Sequence, residues 1–357
     1  MNLPSSKSAR NLVNLTMGLL AVGVFAGILV AVLQFGPGSD EEALEANDSG
    51  ADTSLAQAGP GGPGGPGGRP GRSRELMKVL EQFDADRNGW LNATEREAAL
   101  THLETAPPTG RAAGARGGRG GPGGRGGPQG AGGDLGEPEP GVSLTPADVT
   151  SLPEAGLYDA FSLRTLFLEF ESDDWEKQLE AFRYTDVDVP AVLNVDGQTM
   201  PQVGVRFRGN TSYSTISAGR KRPLNLTLDL VNPKQSIDGY STLNLLNANG
   251  DPTMLRSVLY YEIAREYIPA FQANFVRVVI NGESWGVYAN VQQFDSNFTE
   301  DFFGTPKGAR WKIPGSPAGQ GGLNYLGDDI APYRQIFELK SREEPKSWVN
   351  LMLLSQV

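Results

Sequence analysis

Six residues between positions 84 and 95 carry oxygen atoms at a spacing that suits a hard metal ion. They occupy positions 1, 3, 5, 7, 9 and 12 of a segment in which Gly89, at position 6, permits a sharp turn. The segment therefore matches the EF-hand template, whose position 12 supplies the bidentate carboxylate that sets a calcium-sized cavity. The predicted calcium ligands are Asp84, Asp86, Asn88, Trp90 through its backbone carbonyl, Asn92 and Glu95.

Apolar residues at helical spacing flank this loop, so the sequence predicts a small helical EF-hand unit over residues 73–104. A polar helix–turn–helix that matches by chance is the weaker alternative, because so many fixed positions are satisfied. EF-hands normally pair, and the sequence holds no second loop. We therefore expect pairing between chains or a weak affinity of the extracellular type.

The residue inventory limits the other chemistry that this chain can perform. The 357 residues include no cysteine and a single histidine, His102, which excludes thiolate nucleophiles, a Ser-His-Asp triad and a multi-histidine zinc site. The formal net charge of −11 counts against a nucleic-acid partner, because phosphate backbones bind basic surfaces. Carboxylates, Lys, Arg and hydroxyl groups remain, and these favour oxygen-ligated ions such as calcium and magnesium.

Residues 12–35 form an apolar stretch long enough to cross a bilayer as a helix, since about 20 residues suffice. Lys7 and Arg10 precede it and acidic residues follow, so the positive-inside rule places residues 1–11 in the cytoplasm as a short tail. A cleaved signal peptide is less favoured, because the stretch is long and lacks a small-x-small cleavage pattern. We expect a single-pass protein of the bacterial cytoplasmic membrane, with its main domains periplasmic or extracellular.

Two tracts rich in Gly and Pro, residues 36–72 and 105–143, are predicted to be disordered linkers, because they lack the apolar content that offsets chain entropy. The second tract contains Arg-Gly-Gly repeats beginning at Arg116, Arg119 and Arg125. Such repeats occur in RNA-binding segments. Here no aromatic residue is interleaved and the predicted topology places the tract outside the cytoplasm, so a solvated linker is the favoured interpretation.

Residues 158–357 have the composition of a folded domain, and their pattern predicts the α+β class with an antiparallel sheet. Asn281-Gly282 between two apolar runs predicts a tight hairpin. Asp251-Pro-Thr253 predicts the capped start of a helix that covers Met254 to Tyr267. Strands are predicted at 163–170, 187–195, 203–207, 224–230, 243–245, 275–280 and 285–291, with further helices from Trp175 to Phe182 and from Phe294 to Phe303.

The second half of the chain resembles the CotH kinases, a family named for spore coat protein H. The resemblance spans roughly Leu163 to the end, and the order and spacing of several segments carry it. These segments are Val205-Arg-Phe-Arg-Gly-Asn-Thr-Ser212, Lys221-Arg-Pro-Leu-Asn225, Asp251-Pro-Thr-Met-Leu-Arg256, Trp285-Gly-Val-Tyr288 and Arg310-Trp-Lys312. It implies an atypical, secreted protein-kinase-like fold that uses ATP with a divalent metal such as Mg²⁺.

Phosphoryl transfer needs backbone donors over the phosphates, a cation that pairs with them and carboxylates for magnesium. Lys221 is the predicted phosphate-pairing cation, and Glu262 is predicted to orient it in a kinase-type ion pair. An equal alternative for Lys221 is a basic surface run at a strand start, and for Glu262 a solvated helix face is the favoured interpretation. The full set of predicted nucleotide-binding residues is Arg208, Gly209, Asn210, Ser212, Lys221 and Glu262.

Two features depart from the family pattern. Gln292-Gln293 stands where many relatives carry Glu after the Gly-x-Tyr strand. The family's acidic metal-binding and catalytic motifs are expected beyond Val357, so we expect a fragment of a longer protein or a truncated, inactive relative with a partial CotH domain. The nearest acidic pair, Asp328-Asp329, is better explained as a turn or a helix cap.

Two functions of different classes follow from these observations. The first is a membrane-tethered, ATP-dependent protein kinase that acts on envelope or surface proteins, with the EF-hand as calcium sensor or stabiliser. The second is a non-catalytic, calcium-stabilised surface module that binds partners or serves a structural role.

Overall fold

The computed structural model describes residues 76–108, 136–313, 322–344 and 346–356. The predicted membrane-spanning segment 12–35, the predicted linker 36–72 and most of the second linker lie outside this part. Within the described ranges, no helix has both the length and the apolar character needed to cross a membrane.

Seven strands form the centre of the molecule. They are β1 (Arg164–Phe170), β2 (Val189–Val195), β3 (Gln198–Phe207), β4 (Leu224–Thr227), β5 (Thr242–Leu246), β6 (Ala273–Ile280) and β7 (Glu283–Val291). The strands form a closed barrel in the order β1-β2-β3-β4-β5-β7-β6, and β6 returns to β1. Closure leaves none of these seven strands as a sheet edge, so their backbone groups pair within the barrel.

The prediction of an antiparallel sheet is wrong, because β1 and β6 pair in parallel and so close the barrel. Leu166 of β1 lies opposite Val278 of β6, and each has 0% of its surface exposed. The two strands are far apart in the chain, so no turn residues mark their pairing. β1 is buried at its first five positions, which agrees with its nearly continuous apolar run, since parallel-paired strands are buried on both faces.

The barrel interior follows from alternation along the strands. In β2 the buried positions alternate with half-buried ones, beginning at Val189 and ending at Val195.

Asn281 and Gly282 both have positive φ, 48° and 80°, and join β6 to β7. These angles are what a two-residue turn requires to match the twist of its strands, so the predicted hairpin is confirmed.

Eight α-helices occur in the described residues, and several of them pack against the barrel. They are α1 (Leu80–Phe83), α2 (Ala93–Thr105), α3 (Trp175–Phe182), α4 (Thr211–Ser214), α5 (Arg256–Ala264), α6 (Ser296–Phe303), α7 (Ile330–Ile336) and α8 (Ser347–Leu354). α5 and α6 pack Tyr261 and Phe298 against Ala273 and Val291, on a face separate from the interior cluster. α5 is shorter than predicted, because Met254 has φ 62° and cannot extend the helix backwards.

The helix–loop–helix of residues 80–105 packs directly onto the barrel and shares its core. Met77 donates its N–H to the Tyr184 carbonyl (2.9 Å), and the Asp186 carboxylate accepts the N–H groups of Val79 and Leu80 (2.8 and 3.0 Å). Val79, Leu91, Ala99 and Leu103 belong to the same buried apolar cluster as the barrel interior. This unit therefore folds as part of the barrel body.

The described part of the chain after α6 forms a smaller unit with its own apolar cluster. Two short strands, β8 (Trp311–Lys312) and β9 (Glu338–Leu339), pair next to α7 and α8. Asp329 accepts the N–H of Ala331 at 3.1 Å and caps α7, so the predicted capping role of Asp328-Asp329 is confirmed for Asp329. The cluster consists of Trp311, Tyr333, Phe337, Trp348 and Leu351.

Leu91→Ala should lower the free energy of unfolding of the whole barrel by about 2–5 kcal/mol, since it empties a fully buried position in the shared core. Denaturant unfolding followed by the fluorescence of the barrel tryptophans, Trp175 and Trp285, measures this change. Leu353→Ala is the matched control, because its side chain is 53% exposed and the change should stay within about 0.5 kcal/mol. An unchanged barrel transition in Leu91→Ala would show that the core is not shared.

Candidate functional site

The loop between α1 and α2 gathers the acidic residues of the predicted calcium site. One carboxylate oxygen from each of Asp84, Asp86 and Glu95 lies within 4.8 Å of the others. Among the described residues this is the one such group of three His, Cys, Asp or Glu side chains. The structure therefore brings together the three charged residues of the predicted ligand set.

Backbone hydrogen bonds shape this loop around Asp84. Its carboxylate accepts the N–H groups of Asn88 (3.1 Å) and Gly89 (2.8 Å). Gly89 has φ +88°, which glycine adopts without steric cost. Desolvation is the largest single influence on the pKa of Asp84 and raises it, but the hydrogen bonds from Gly89 and Asn88 together hold that pKa below its ordinary value.

Asn88 and Trp90 complete the middle of the loop. The Asn88 amide donates to Asp86 at 2.9 Å, and its oxygen accepts the Trp90 N–H at 3.0 Å. The second contact is of the Asx type, in which a side-chain oxygen accepts the backbone N–H two residues on and so favours a turn. Trp90 is predicted to contribute its carbonyl, and the loop places that residue directly after the glycine turn.

Glu95 closes the loop and starts the exit helix at the same time. Its two oxygens accept the N–H groups of Ala85 and Asn92, each at 2.9 Å, while Asn92 accepts the Glu95 N–H at 3.2 Å. This reciprocal pair is a capping box for α2. Carboxylate and amide oxygens with one buried glutamate are the donor set that calcium prefers, so the residues present fit that ion.

The predicted calcium loop and the helix that follows it pack against α3. Leu91, at loop position 8, is fully buried in the barrel cluster. Arg96, the residue after the last predicted ligand, is 4% exposed and donates to the Leu91 carbonyl (2.9 Å), to Gln178 of α3 (3.3 Å) and to Glu171 (3.0 Å). In the described part of the chain the predicted calcium loop is therefore supported by α3, and pairing with a second hand stays a prediction.

The predicted phosphate loop follows β3 and is tightly built. Gly209 has φ +77°, and a methyl group at its Cα would overlap Ser212 Oγ. Arg208 is buried and donates its backbone N–H to the Pro223 carbonyl at 3.1 Å. Asn210 precedes the short helix α4, and its carbonyl accepts the N–H of Ser214 at 2.9 Å. Arg208 through Ser212 thus form one compact turn.

Lys221 and Glu262 lie apart in this structure. The Lys221 ammonium donates to the Val287 carbonyl at 2.8 Å and lies over the Tyr288 ring, 5.2 Å from its centroid. Burial lowers the pKa of Lys221. Glu262 is on the exposed side of α5, and no ion pair joins it to Lys221 in the described part of the chain. The predicted kinase-type pair is thus not formed here.

Residues 205–348 match the family model described as CotH kinase protein. The match begins within β3 and ends in α8, so it covers the predicted phosphate loop and Lys221 but not β1, β2 or the calcium loop. No curated protein matches the chain. The resemblance noted in the sequence is thereby supported over this part of its predicted span.

A row of six buried polar side chains, five of them in the CotH-matched region, was missed by sequence reasoning. Asp188 pairs with Arg206 and accepts the Thr227 hydroxyl at 3.1 Å. Further along, the Asn225 amide donates to Asn244 (3.0 Å), and Asn244 donates to Gln293 (2.9 Å). All six residues are at most 6% exposed, and Asn225 Oδ1 is a buried oxygen without a hydrogen-bond partner. Polar residues alternating with Leu in β4 and β5 were the available signal.

The two glutamines that depart from the CotH pattern are buried and hydrogen-bonded. Gln292 accepts the Gln272 N–H (3.0 Å) and donates to the Asp301 carboxylate (2.8 Å). A glutamate at position 292 would place a second carboxylate against Asp301, which like-charge repulsion disfavours. Asp301 also accepts the Tyr240 hydroxyl, and burial, followed by this carboxylate, raises the pKa of Tyr240 to about 12.

Gly209→Ala should destabilise the fold by more than Gly197→Ala. Both glycines have strongly positive φ, +77° and +81°, which costs an alanine about 1–2 kcal/mol. Only at Gly209 would the added methyl also strike Ser212, since nothing lies within 4 Å at Gly197. Urea unfolding of both variants measures the difference.

The double variant Gly209→Ala, Ser212→Ala tests the cause. It should recover part of the extra loss, because it removes the oxygen that the methyl strikes. Equal destabilisation by the two single glycine variants would contradict a tightly packed phosphate loop.

Proposed function

We propose that this chain is a CotH-like protein whose barrel is stabilised by calcium and whose residues 208–222 bind the phosphates of a nucleotide. The match of residues 205–348 to the CotH kinase model is the observation that carries the nucleotide proposal. The enzymatic form of the proposal is an ATP-dependent protein kinase of envelope or surface proteins. Its anchoring through residues 12–35, with the folded part on the outer side of the cytoplasmic membrane, belongs to the same proposal.

Residues 208–222 include groups that are chemically suited to bind phosphate. Arg208, Lys221 and the hydroxyl of Ser212 are cationic or donating groups, and cations with backbone N–H groups are what phosphates bind. Within the described residues, no trio of carboxylates lies near this segment. Mg²⁺ usually binds through one or two carboxylates and the substrate phosphates, and ATP with Mg²⁺ would supply the chemistry of phosphoryl transfer.

A second candidate function is a non-catalytic, calcium-stabilised binding module. The position of Lys221 favours it, because the ammonium is already bound to the Val287 carbonyl and stacked over Tyr288. In this role the hydrogen bond from Lys221 would connect the segment before β4 to β7. Partner proteins would bind elsewhere on the surface.

Calcium binding is tested by calorimetric titration of the full chain. Glu95→Gln should lose binding by at least about tenfold, because it replaces the buried bidentate carboxylate, while its amide oxygen keeps one capping hydrogen bond. Glu97→Gln, on the exposed side of the same helix, is the matched control and should bind as the wild type does. Wild-type protein that takes up no calcium would refute this part of the proposal.

Nucleotide binding is tested by titrating ATP with and without Mg²⁺ and comparing Lys221→Met with Lys234→Met, whose side chain is exposed. A lysine that pairs with phosphate contributes about 1.5–3 kcal/mol, so Lys221→Met should weaken ATP binding by about ten- to a hundredfold. Unchanged ATP binding by Lys221→Met would show that Lys221 has only a structural role in the barrel. Absence of ATP binding by the wild type would favour the non-catalytic module.

A further inference from the structure

The residue that follows the last calcium ligand connects the loop to α3. Arg96 donates to the carbonyl of Leu91 within the loop and, on the other side, to Gln178 of α3 and to Glu171 just before it. Its side chain is 5% exposed. A buried guanidinium group that loses its partners is strongly destabilising, so a movement of the loop must be accommodated by α3.

The opposite side of α3 holds the segment that ends at Arg222. Both oxygens of Glu176 accept the N–H of Gly219 at 3.0 Å, and one of them lies 3.5 Å from the Arg222 guanidinium. Glu180, one turn later, pairs with the same guanidinium, which is 7% exposed. Two carboxylates of α3 therefore fix the residues on both sides of Lys221.

The C-terminal end of α3 holds the predicted phosphate loop itself. Arg183, the C-cap of α3, donates to the carbonyl of Gly209 and stacks over the Tyr213 ring at 3.9 Å. Arg222 lies over the same ring at 4.7 Å. Tyr213 is thus held between two guanidinium groups, one from α3 and one from the Lys221 segment. The helix α3 therefore contacts both the turn at 208–213 and the segment at 219–222.

The calcium loop has a physical reason to change when it takes up a cation. Asp84, Asp86 and Glu95 bring three carboxylates within 4.8 Å, and like charges at this distance repel each other. A cation removes the repulsion and fixes the loop, including the Leu91 carbonyl that holds Arg96. The two states of the loop therefore differ in how firmly they position Arg96.

We propose that calcium in the loop orders residues 208–222 through Arg96 and α3, and so raises the affinity of this segment for phosphate-bearing ligands. The proposal rests on the calcium binding and the phosphate loop proposed above, and it assigns the EF-hand a regulatory role at that loop. Because coupling between two sites is reciprocal, a phosphate ligand bound at 208–222 strengthens calcium binding by the same factor.

Hydrogen exchange of the full chain, with calcium or with a chelator, measures the coupling without any activity assay. Calcium should slow the exchange of the 208–222 amides by about fivefold or more, which is the lower range of ordinary coupling between sites. Peptides from 330–354, which belong to a separate apolar cluster, provide the internal reference. Titration of ATP under the same two conditions should show a shift in affinity of similar size.

Arg96→Met should bind calcium as the wild type does but lose the slowing at 208–222, because it keeps the ligands and removes the link. Arg265→Met, at the exposed arginine that follows the last residue of α5, should keep both properties. If Arg96→Met does not fold, Glu171→Ala removes one acceptor of the link at a 68% exposed side chain and should reduce the slowing.

Calcium binding without any slowing at 208–222 in the wild type would overturn the coupling and leave the calcium site intact. Equal slowing in wild type and Arg96→Met would overturn the route through Arg96. Absence of calcium binding by calorimetry would overturn the calcium site and, with it, the coupling. Calcium-dependent slowing without any ATP binding would support the ordering of the loop but overturn its effect on phosphate affinity.

Discussion

The buried guanidinium of Arg96 is the contact on which the arrangement of the described molecule depends. It joins the carbonyl of Leu91, the amide of Gln178 and the carboxylate of Glu171, three groups from three different parts of the chain. A buried guanidinium that loses its hydrogen-bond partners is strongly destabilising, whereas the ion pair with Glu171, which is 68% exposed, adds little because water screens it. This group therefore requires the calcium loop, α3 and the end of β1 to keep one relative position.

That constraint explains how the predicted EF-hand can be stable without a second hand beside it. In paired hands the two loops support each other, and each buries the apolar residue of loop position 8. Here Leu91 at that position is buried in the barrel cluster, and the Asp186 carboxylate accepts the backbone N–H groups at the start of α1. The barrel thus supplies the apolar contact and the backbone pairing that a second hand would provide.

Local signals in the sequence predicted the local parts of this structure. Asn281-Gly282 predicted its hairpin and the acidic spacing predicted the loop that gathers Asp84, Asp86 and Glu95, because both depend on neighbouring residues. The parallel pairing of β1 with β6 and the burial of Arg96 depend on segments distant in the chain. The sequence around Lys221 is compatible with an ammonium that faces solvent, a phosphate or a carbonyl. In the structure the ammonium donates to a carbonyl of β7, a strand that is distant in the chain.

Calorimetric unfolding of the full chain, with calcium near a hundred times its dissociation constant or with chelator, tests the shared body most directly. Binding at that excess adds about 2.7 kcal/mol to the native state. A barrel body of this size gains about 2–4 °C per kcal/mol, so its transition should move upward by about 5–10 °C. A barrel transition that stays in place while a smaller, separate transition moves would contradict the account, because the EF-hand would then be an independent unit.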